Sequence, residues 1–181
     1  MTGSDDCTVC LWPVSTTFSE PLFFNSRHSS KITCVSITEV AKTVVSCSSD
    51  GRITSVGLDG RNIRSTFVDG VPQSVCVCDD GYTLVNSVVG EDNVLTVLDI
   101  NLETCKVIET KSALFATVFF VDSDGGHIIV YSDKNGVSIL KSPTYEEIKH
   151  IPMNSAATYL TTIESGRAIL AALEDGRISY F

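Results

Sequence analysis

The stretch that decides the fold is Thr43-Val44-Val45-Ser46-Cys47-Ser48-Ser49-Asp50-Gly51-Arg52-Ile53. It places runs rich in β-branched residues on both sides of a Ser-Asp-Gly turn, which is the pattern of a β-hairpin. Asp and Gly suit this turn because a tight hairpin turn requires positive φ, which these residue types adopt at the least cost. The stretch therefore predicts two antiparallel strands joined by a short turn.

Four further segments resemble this hairpin and recur at a regular interval. They are residues 4–9, 90–95, 133–137 and 173–178. The acidic or amide residues at the successive turns, Asp6, Asp50, Asp92, Asn135 and Asp175, are 44, 42, 43 and 40 residues apart. Four-stranded propeller blades repeat about every 40 to 45 residues. The interval therefore predicts a β-propeller built from repeated blades.

Composition also favours an all-β fold. Val, Ile and Thr together account for 53 of the 181 residues, against 8 Ala. Because branching at Cβ favours strands over helices, this is a sheet-forming composition. With 43% apolar and 19% charged residues, the chain is too hydrophobic for a disordered tail and long enough to bury a core.

The hairpin spacing divides the chain into three complete blades and two partial ones. The predicted blades span residues 28–70, 71–111 and 112–153, with the end of another blade at 1–27 and a last blade lacking its outer strand at 154–181. The complete blades have predicted strands at 31–38, 43–48, 52–57 and 61–67; at 72–78, 82–88, 94–100 and 104–109; and at 113–121, 126–131, 137–141 and 146–151. The hairpin at Asn135 is one residue out of phase with the others.

Charge and hydropathy exclude several classes of partner. The chain carries 13 Lys and Arg against 22 Asp and Glu, a net charge of −9, whereas nucleic-acid affinity needs clustered basic residues. The longest apolar stretch, residues 113–121, has nine residues, and a membrane-spanning helix needs about 20. The acidic N-terminus does not resemble a signal peptide. We therefore expect no nucleic-acid partner, no membrane span and no secretion.

Seven cysteines indicate free thiols in a reducing compartment, because the number is odd and no signal peptide is apparent. Cys7 and Cys10 have a spacing compatible with zinc, but no second such pair follows. The pair Cys76 and Cys78 falls on one face of a predicted strand. Small buried apolar side chains are the favoured interpretation, with metal ligands as the alternative.

The first residues of the chain resemble part of a known repeat. Residues 1–12 end in Cys-Leu-Trp and resemble the end of a WD repeat, with Pro13 in the place of the usual Asp after Trp12. His28 and the following strand resemble the opening of the next repeat. The resemblance implies a WD-repeat β-propeller. In a later blade, Leu98-Asp99 keeps only the Asp of the terminal Trp-Asp pair.

WD repeats contain a hydrogen-bonded chain of a His, a Ser or Thr, an Asp and a Trp. The resemblance assigns the first three places to His28, Ser46 and Asp50, while Val56 occupies the Trp place. The chain is therefore expected to be incomplete.

A narrower resemblance covers nearly the whole sequence. Residues 1–12, 28–35 and 43–51 are similar to the C-terminal propeller of BEACH-domain proteins, the neurobeachin and lysosomal-trafficking-regulator group. Residues 168–178 are similar to the last hairpin of that propeller. The resemblance implies a large scaffold in vesicle or lysosomal membrane traffic, whose propeller docks other proteins.

The two ends of the repeat array are not equivalent. A propeller commonly ends after the third strand of its last blade, as at Phe181, whereas a start within the second strand of a blade leaves an inner strand missing. We therefore expect that N-terminal blades are missing and that Met1 is internal or an artefact of gene prediction. An open arc of this kind is expected to dissolve poorly or to self-associate.

The sequence contains no phosphate loop, nucleophile elbow or zinc-helix motif. His28, His127 and His150 are interpreted as structural, because a catalytic His needs a matched nucleophile or acid. Residues 122–126 resemble a calcium loop superficially but lack its later ligands, so a hairpin turn is favoured. The charged residues Asp59, Arg61, Arg64 and Asp69 are interpreted as solvating an outer strand. We therefore predict no catalytic residues, cofactor-binding residues or metal ligands.

The functional expectation is a non-catalytic protein-interaction scaffold, the C-terminal fragment of a larger BEACH-type trafficking protein. Its binding surface is expected on the loops at residues 25–30, 50–52, 92–94 and 174–177, with Phe23, Phe24, Arg27 and His28 in the longest connection. The location is expected to be cytoplasmic, with peripheral membrane association through the parent protein. The alternatives are a propeller enzyme, disfavoured because the inner strands offer few His, Asp or Glu, and a generic WD-repeat adaptor.

Overall fold

The structure is a computed structural model that describes residues 1–12, 20–24, 27–110, 113–163 and 168–181, with the backbone only for residues 22–24. Over these ranges the chain forms eighteen β-strands and no helix. Some of the residues discussed above lie outside the described part: Pro13, residues 25 and 26 of the predicted binding loop, and the side chains of Phe23 and Phe24. Strand formation agrees with the high content of β-branched residues.

The strands form five sheets, called blades 1 to 5 in chain order. Blade 1 contains β1 (Thr2–Gly3), β2 (Val9–Leu11) and β3 (Leu22–Phe24). Blade 2 contains β4 (Ile32–Thr38), β5 (Thr43–Ser48), β6 (Arg52–Gly57) and β7 (Arg64–Phe67). Blade 3 contains β8 (Val71–Val77), β9 (Thr83–Val89), β10 (Asp92–Leu98) and β11 (Thr104–Thr110).

Blade 4 contains β12 (Ala116–Val121), β13 (His127–Asp133), β14 (Gly136–Lys141) and β15 (Glu146–Pro152). Blade 5 contains β16 (Ala157–Ile163), β17 (Ala168–Leu173) and β18 (Ile178–Tyr180). Strands that follow one another in the chain lie side by side in every blade. The strand positions expected for the complete blades agree with these bounds to within a few residues.

Short turns that use an aspartate carboxylate recur between the strands. An Oδ1 atom accepts the backbone N–H two residues later at Asp6, Asp50, Asp59, Asp80, Asp99, Asp133 and Asp175, over 2.7 to 3.2 Å. This Asx geometry replaces a backbone hydrogen bond with a local side-chain bond. It also explains the phase of the fourth hairpin, since Asp133 rather than Asn135 supplies the accepting carboxylate.

The chain divides into two compact units. Unit 1 comprises residues 1–90 and 94–107, and unit 2 comprises residues 91–93 and 108–181. Unit 1 has two apolar clusters. One contains Val45, Cys47, Ile53, Val75, Val85, Leu98 and Leu102. The other contains Val9, Ile32, Val44 and Val56. Both join neighbouring blades, so burial between blades stabilises the unit.

Small polar side chains link the inner strands β4 and β8 within unit 1. The Cys34 thiol donates to the Val75 carbonyl (3.9 Å), and Ser36 Oγ accepts the Val77 N–H (3.1 Å). The Thr38 hydroxyl donates to Asp79 Oδ1 (3.1 Å). Each link joins residues 41 positions apart, so one blade follows the next in constant register. We call this set of contacts the β4–β8 ladder.

Unit 2 has its own core. Its buried residues are Ile128, Val130, Val137, Ala157, Leu160, Ile169, Ala171 and Leu173. They come from both blades of the unit, alternate along β13 and β17, and so occupy one face of each strand. Phe181 packs against this cluster, and its backbone N–H and carbonyl both bond to Ile169.

Candidate functional site

The opening of blade 2 brings together three of the residues expected there. His28 Nε2 hydrogen-bonds to Ser46 Oγ at 2.9 Å, and His28 Nδ1 lies 3.7 Å from Asp50 Oδ1. The His28 side chain has no exposed surface, and its Nδ1 lacks a hydrogen-bond partner. Burial lowers the pKa of His28, although the nearby Asp50 carboxylate acts in the opposite direction. A buried neutral imidazole positioned by a hydroxyl is a structural element.

Asp50 is the anchor of the same turn. Its Oδ2 accepts both the backbone N–H (2.7 Å) and the hydroxyl (2.9 Å) of Ser29, and its Oδ1 accepts the Arg52 N–H (2.9 Å). Desolvation raises the pKa of this carboxyl, but the hydrogen bonds from Ser29 and Arg52 outweigh it and lower the pKa to about 2. Asp50 is therefore ionised and committed to holding the loop before β4.

The hydrogen-bonded chain of the WD resemblance is split between two blades. In blade 1 the Trp12 indole N–H donates to Thr2 Oγ1 at 2.9 Å, which is the Trp part of the chain. In blade 2 Val56 instead packs in the apolar cluster with Val9, Ile32 and Val44. The expected incompleteness in blade 2 is confirmed. The Trp12 bond was missed, although the WD-like position of Trp12 was its signal.

The two other histidines have local partners in unit 2. His127 packs on the Phe119 ring with centroids 5.4 Å apart, and its Nδ1 lies 3.5 Å from the Tyr145 hydroxyl. His150 Nδ1 hydrogen-bonds to Ser138 Oγ at 3.0 Å. Both histidines thus contact side chains of their own blade, and their interpretation as structural residues stays a prediction.

The loop at residues 122–126 holds an ammonium group. Lys141 Nζ lies 2.7 Å from Asp122 Oδ2 and 3.7 Å from Asp124 Oδ2. Hydrogen bonding to Lys141 lowers the pKa of Asp122. The carboxylates that suggested a calcium loop are thus neutralised by a side chain of the same blade. Over the described ranges, no three His, Cys, Asp or Glu side chains are placed to hold a metal ion.

The thiols differ in environment. Cys47 and Cys78 are buried, whereas Cys7, Cys10, Cys34 and Cys76 are half-buried and Cys105 is exposed. The interpretation of the cysteines as buried apolar side chains therefore holds for two of the seven. Cys34 and Cys47 lie directly opposite each other on β4 and β5.

An exposed aromatic side chain distinguishes the predicted loop surface of unit 1. Phe67, at the end of β7, is 62% exposed, and the Arg52 guanidinium lies 4.8 Å from its ring centroid. Arg52 Nε is buried without a hydrogen-bond partner. Because Asp50 is occupied by Ser29 and by the Arg52 backbone, its carboxylate does not take up this guanidinium in the observed hydrogen bonds.

Val89, which is 40% exposed, lies near the same turn. A Cβ placed on Gly51 would lie 4.0 Å from the Phe67 ring and 3.5 Å from the Gly70 carbonyl, and one on Gly70 would collide with Val88 and Val89. Gly51 and Gly70 thus let the two turns approach each other closely. We call Arg52, Phe67 and Val89 the Arg52 patch.

The patch adjoins only part of the predicted loop surface. Residues 50–52 contribute Arg52 to it, and His28 and Ser29 contact Asp50 in the same turn. Residues 92–94 and 174–177 fall wholly or partly in unit 2, where Arg177 pairs with Asp175 over 2.5 Å. Phe67 was not anticipated. It pairs with Arg52 at the open end of the β6–β7 hairpin, a register that the residue types do not specify.

Comparison with known proteins identifies the fold. No family model and no curated protein matches the sequence. The β-propeller domain of Cps50 (Swd1) from Myceliophteria thermophila matches 98% of this chain with a TM-score of 0.75 and 20% sequence identity. The fold is a WD40-like β-propeller. The chain spans 59% of the length of that domain.

A second solved structure also matches most of the chain. The computationally designed Ika4 protein matches 85% of this chain and 92% of its own, with a TM-score of 0.65 and 17% identity. Both identities are low, so the similarity to the β-propeller domain lies in the fold. No helix in the described parts of this propeller is long and apolar enough to cross a membrane.

Proposed function

We propose that this propeller is a non-catalytic protein-interaction scaffold and that the Arg52 patch is its anchor. The observation that carries the proposal is the exposed Phe67 ring, with the Arg52 guanidinium 4.8 Å from its centroid. Aromatic and Arg side chains supply much of the binding energy at protein interfaces. Other WD40-like folds act as scaffolds, which supports the coarse assignment.

The chemistry of the patch defines its partner. The positively charged Arg52 guanidinium favours a carboxylate, and the exposed Phe67 and Val89 favour an apolar side chain beside it. The proposed ligand is therefore a segment of a partner protein with Asp or Glu next to an apolar residue.

Selection from a random peptide library displayed on phage tests this assignment, with the purified wild-type chain as bait. The enriched peptides are expected to pair an acidic with an apolar residue and to lose affinity for Phe67→Ala and Arg52→Glu by about tenfold or more. Val40→Ala is the matched control, because Val40 is 69% exposed in the turn between β4 and β5. Equal binding by the wild type and both patch variants would overturn the proposal.

We further propose that the chain derives from a BEACH-type scaffold of vesicle or lysosomal membrane traffic, located in the cytoplasm and peripheral to membranes through the parent protein. The support is the resemblance of residues 1–12, 28–35, 43–51 and 168–178 to that propeller. An antibody to residues 142–149 tests it on the native polypeptide. A band far above 19.5 kDa is expected, whereas a band near 19.5 kDa would indicate an authentic short protein and overturn the proposal.

A propeller enzyme is the contrasting function. It requires acid–base or metal-binding side chains gathered in one place, whereas His28, His150 and Asp122 each contact a side chain of their own blade. The scaffold therefore remains the proposal that the geometry supports best.

A further inference from the structure

Two cysteines of unit 1 form a cross-strand pair. Cys34 on β4 and Cys47 on β5 are partners in the antiparallel register, so their side chains project from the same face of the sheet. Both are reduced. Partners of this kind have Cα atoms about 4.5 or 5.5 Å apart, according to their place in the ladder. Both separations fall within the Cα range that a disulfide spans.

Local contacts keep the Cys47 thiol turned towards its partner. The Cys47 thiol donates to the Cys34 carbonyl (3.6 Å), and the Thr33 hydroxyl lies 3.3 Å from Cys47 Sγ. The Cys34 thiol in turn approaches the Val75 carbonyl (3.9 Å) in the β4–β8 ladder. Cys47 has no exposed surface, whereas Cys34 is half-buried. An oxidant in solution therefore reaches Cys34 first.

The two thiols also differ in acidity. A hydrogen bond from the Cys47 thiol lowers the pKa of Cys34, and the same bond, with burial, raises the pKa of Cys47. Cys34 is thus the member of the pair that forms a thiolate, while Cys47 keeps its proton. A thiolate reacts with peroxides much faster than a thiol.

We propose that Cys34 is a site of oxidation by hydrogen peroxide and that Cys47 is the resolving thiol, which closes a reversible Cys34–Cys47 disulfide. The assignment is independent of the interaction surface proposed above.

The chemistry proceeds in two balanced steps. The Cys34 thiolate attacks one peroxide oxygen, an S–O bond forms, the O–O bond breaks, and hydroxide leaves and takes up a proton as water. Cys47 sulfur then attacks Cys34 sulfur, the S–S bond forms, the S–O bond breaks, and the departing hydroxide takes the Cys47 proton as a second water. Two thiols are oxidised and one peroxide is reduced to two waters.

Other cysteines provide internal comparisons. Burial raises the pKa of Cys78, and burial followed by the Asp99 carboxylate raises the pKa of the exposed Cys105. Both shifts reduce the thiolate fraction at neutral pH. If exposure alone decided reactivity, Cys105 would be oxidised first, whereas the proposal predicts that Cys34 is oxidised first.

Peptide mapping of the oxidised full-length chain tests the pair. The reduced protein is treated with hydrogen peroxide, blocked with iodoacetamide and digested with trypsin, which cleaves after Lys31, Lys42 and Arg52. Residues 32–42 then carry Cys34 and residues 43–52 carry Cys47, each as the one cysteine of its peptide. The expected product is this linked pair, favoured over every other pairing by about tenfold because the two thiols are already cross-strand neighbours.

Variants establish the order of the steps. In Cys47→Ser, Cys34 is expected to accumulate as a sulfenic acid that dimedone traps; in Cys34→Ser, Cys47 is expected to stay alkylatable. Cys105→Ser is the matched control and should form the linked peptide at the wild-type rate. Faster oxidation of Cys105 than of Cys34, or cross-links spread evenly among the cysteines, would overturn the proposal. The wild-type map decides this even where Cys47→Ser fails to fold.

Discussion

At the scale of single residues, His28 ties the opening of blade 2 to the interior of its sheet. It reaches Ser46 on β5 and approaches Asp50 in the turn to β6, while Trp12 makes the corresponding bond to Thr2 in blade 1. The polar contacts that a well-formed WD repeat concentrates in one blade are thus divided between two neighbours. Each blade keeps one hydrogen bond where a complete chain would have several.

Replacing His28 with Ala is expected to lower the free energy of unfolding by about 2 to 4 kcal/mol, because it leaves a cavity and removes the partner of buried Ser46. Urea unfolding followed by tryptophan fluorescence or circular dichroism measures the change. His150→Ala is the control. His150 is exposed and bonded to Ser138, so its loss should cost about 1 kcal/mol or less. Equal effects of the two variants would contradict the structural role of His28.

The stability of the propeller should also depend on the charge of His28. Burial holds the pKa of His28 in the folded state below its usual value of 6.5, so the unfolded state binds the proton more readily. The contribution of the neutral imidazole is therefore complete above about pH 6.5 and is lost as the pH falls through the lowered pKa. Unfolding free energies of the wild type and His28→Gln, compared between about pH 7.5 and about pH 5.5, measure it. A pH dependence that is unchanged in His28→Gln would refute the assignment.

Part of the site can be predicted from the residues themselves. His28, Ser46 and Asp50 are recognisable because their types and spacing match a known motif. The stacking of Arg52 on Phe67 requires the register of β6 and β7 and the rotamers of two long side chains, which residue types do not specify. The Cys34–Cys47 pairing depends likewise on an irregularity between Ile32 and Cys34, which shifts the register of β4 against β5.

At the scale of elements, the β4–β8 ladder shows how one blade is aligned on the next. Its donors and acceptors are short side chains on an inner strand, each meeting the backbone or a carboxylate of β8. Ser36 and Thr38 differ in one respect that can be measured. Ser36 accepts a hydrogen bond from the backbone N–H of Val77, whereas Thr38 donates one to Asp79, whose side chain is exposed.

Ser36→Ala should therefore destabilise the protein more than Thr38→Val. The first change leaves a backbone N–H without its acceptor and is expected to cost about 1 to 3 kcal/mol, whereas Asp79 can regain water and limit the second to about 1 kcal/mol. Chemical denaturation of both variants under the same conditions measures the difference. The reverse order of stabilities would show that the ladder does not align the blades as described.

Strand positions were predictable because a repeated turn fixes both ends of each hairpin. The Asp and Gly residues mark where the chain reverses, and the apolar runs between them have strand length. The start of β12 was placed too early, at 113, because the apolar run there begins before Ala116, where the strand begins. Apolar character continues beyond a strand wherever a connecting segment also packs against the core.

At the scale of the whole molecule, the constant repeat length was sufficient to predict the fold, and the comparison with a known β-propeller domain confirms it. The partner was not predictable in the same way. Repeats require similar residues at the positions that pack between blades, whereas the loops that bind partners are free to differ. The net charge of −9 does not identify the partner either, because many of the carboxylates accept hydrogen bonds in turns.

Self-association of the purified chain is the prediction that belongs to this scale. In blade 5, β18 pairs with β17 on one side, and Ile178 and Tyr180 on β18 are 74% and 66% exposed. An apolar edge strand favours pairing with another chain. Sedimentation velocity at increasing concentration should show oligomers that Ile178→Lys reduces and the control Val40→Lys does not. A wild-type chain that stays monomeric at every concentration would contradict this prediction.

The aspartate turns described above also bear on chemical ageing. Asp-Gly sequences are prone to isomerise when the glycine amide nitrogen attacks the preceding carboxyl and forms a succinimide. At Gly51, Gly60, Gly81, Gly125 and Gly176 that nitrogen donates to the carbonyl three residues earlier, over 2.8 to 3.1 Å. The hydrogen bond that closes each of these five turns restrains the nitrogen and its peptide plane. We therefore expect these five Asp-Gly sequences to form isoaspartate more slowly in the folded chain than in the unfolded one.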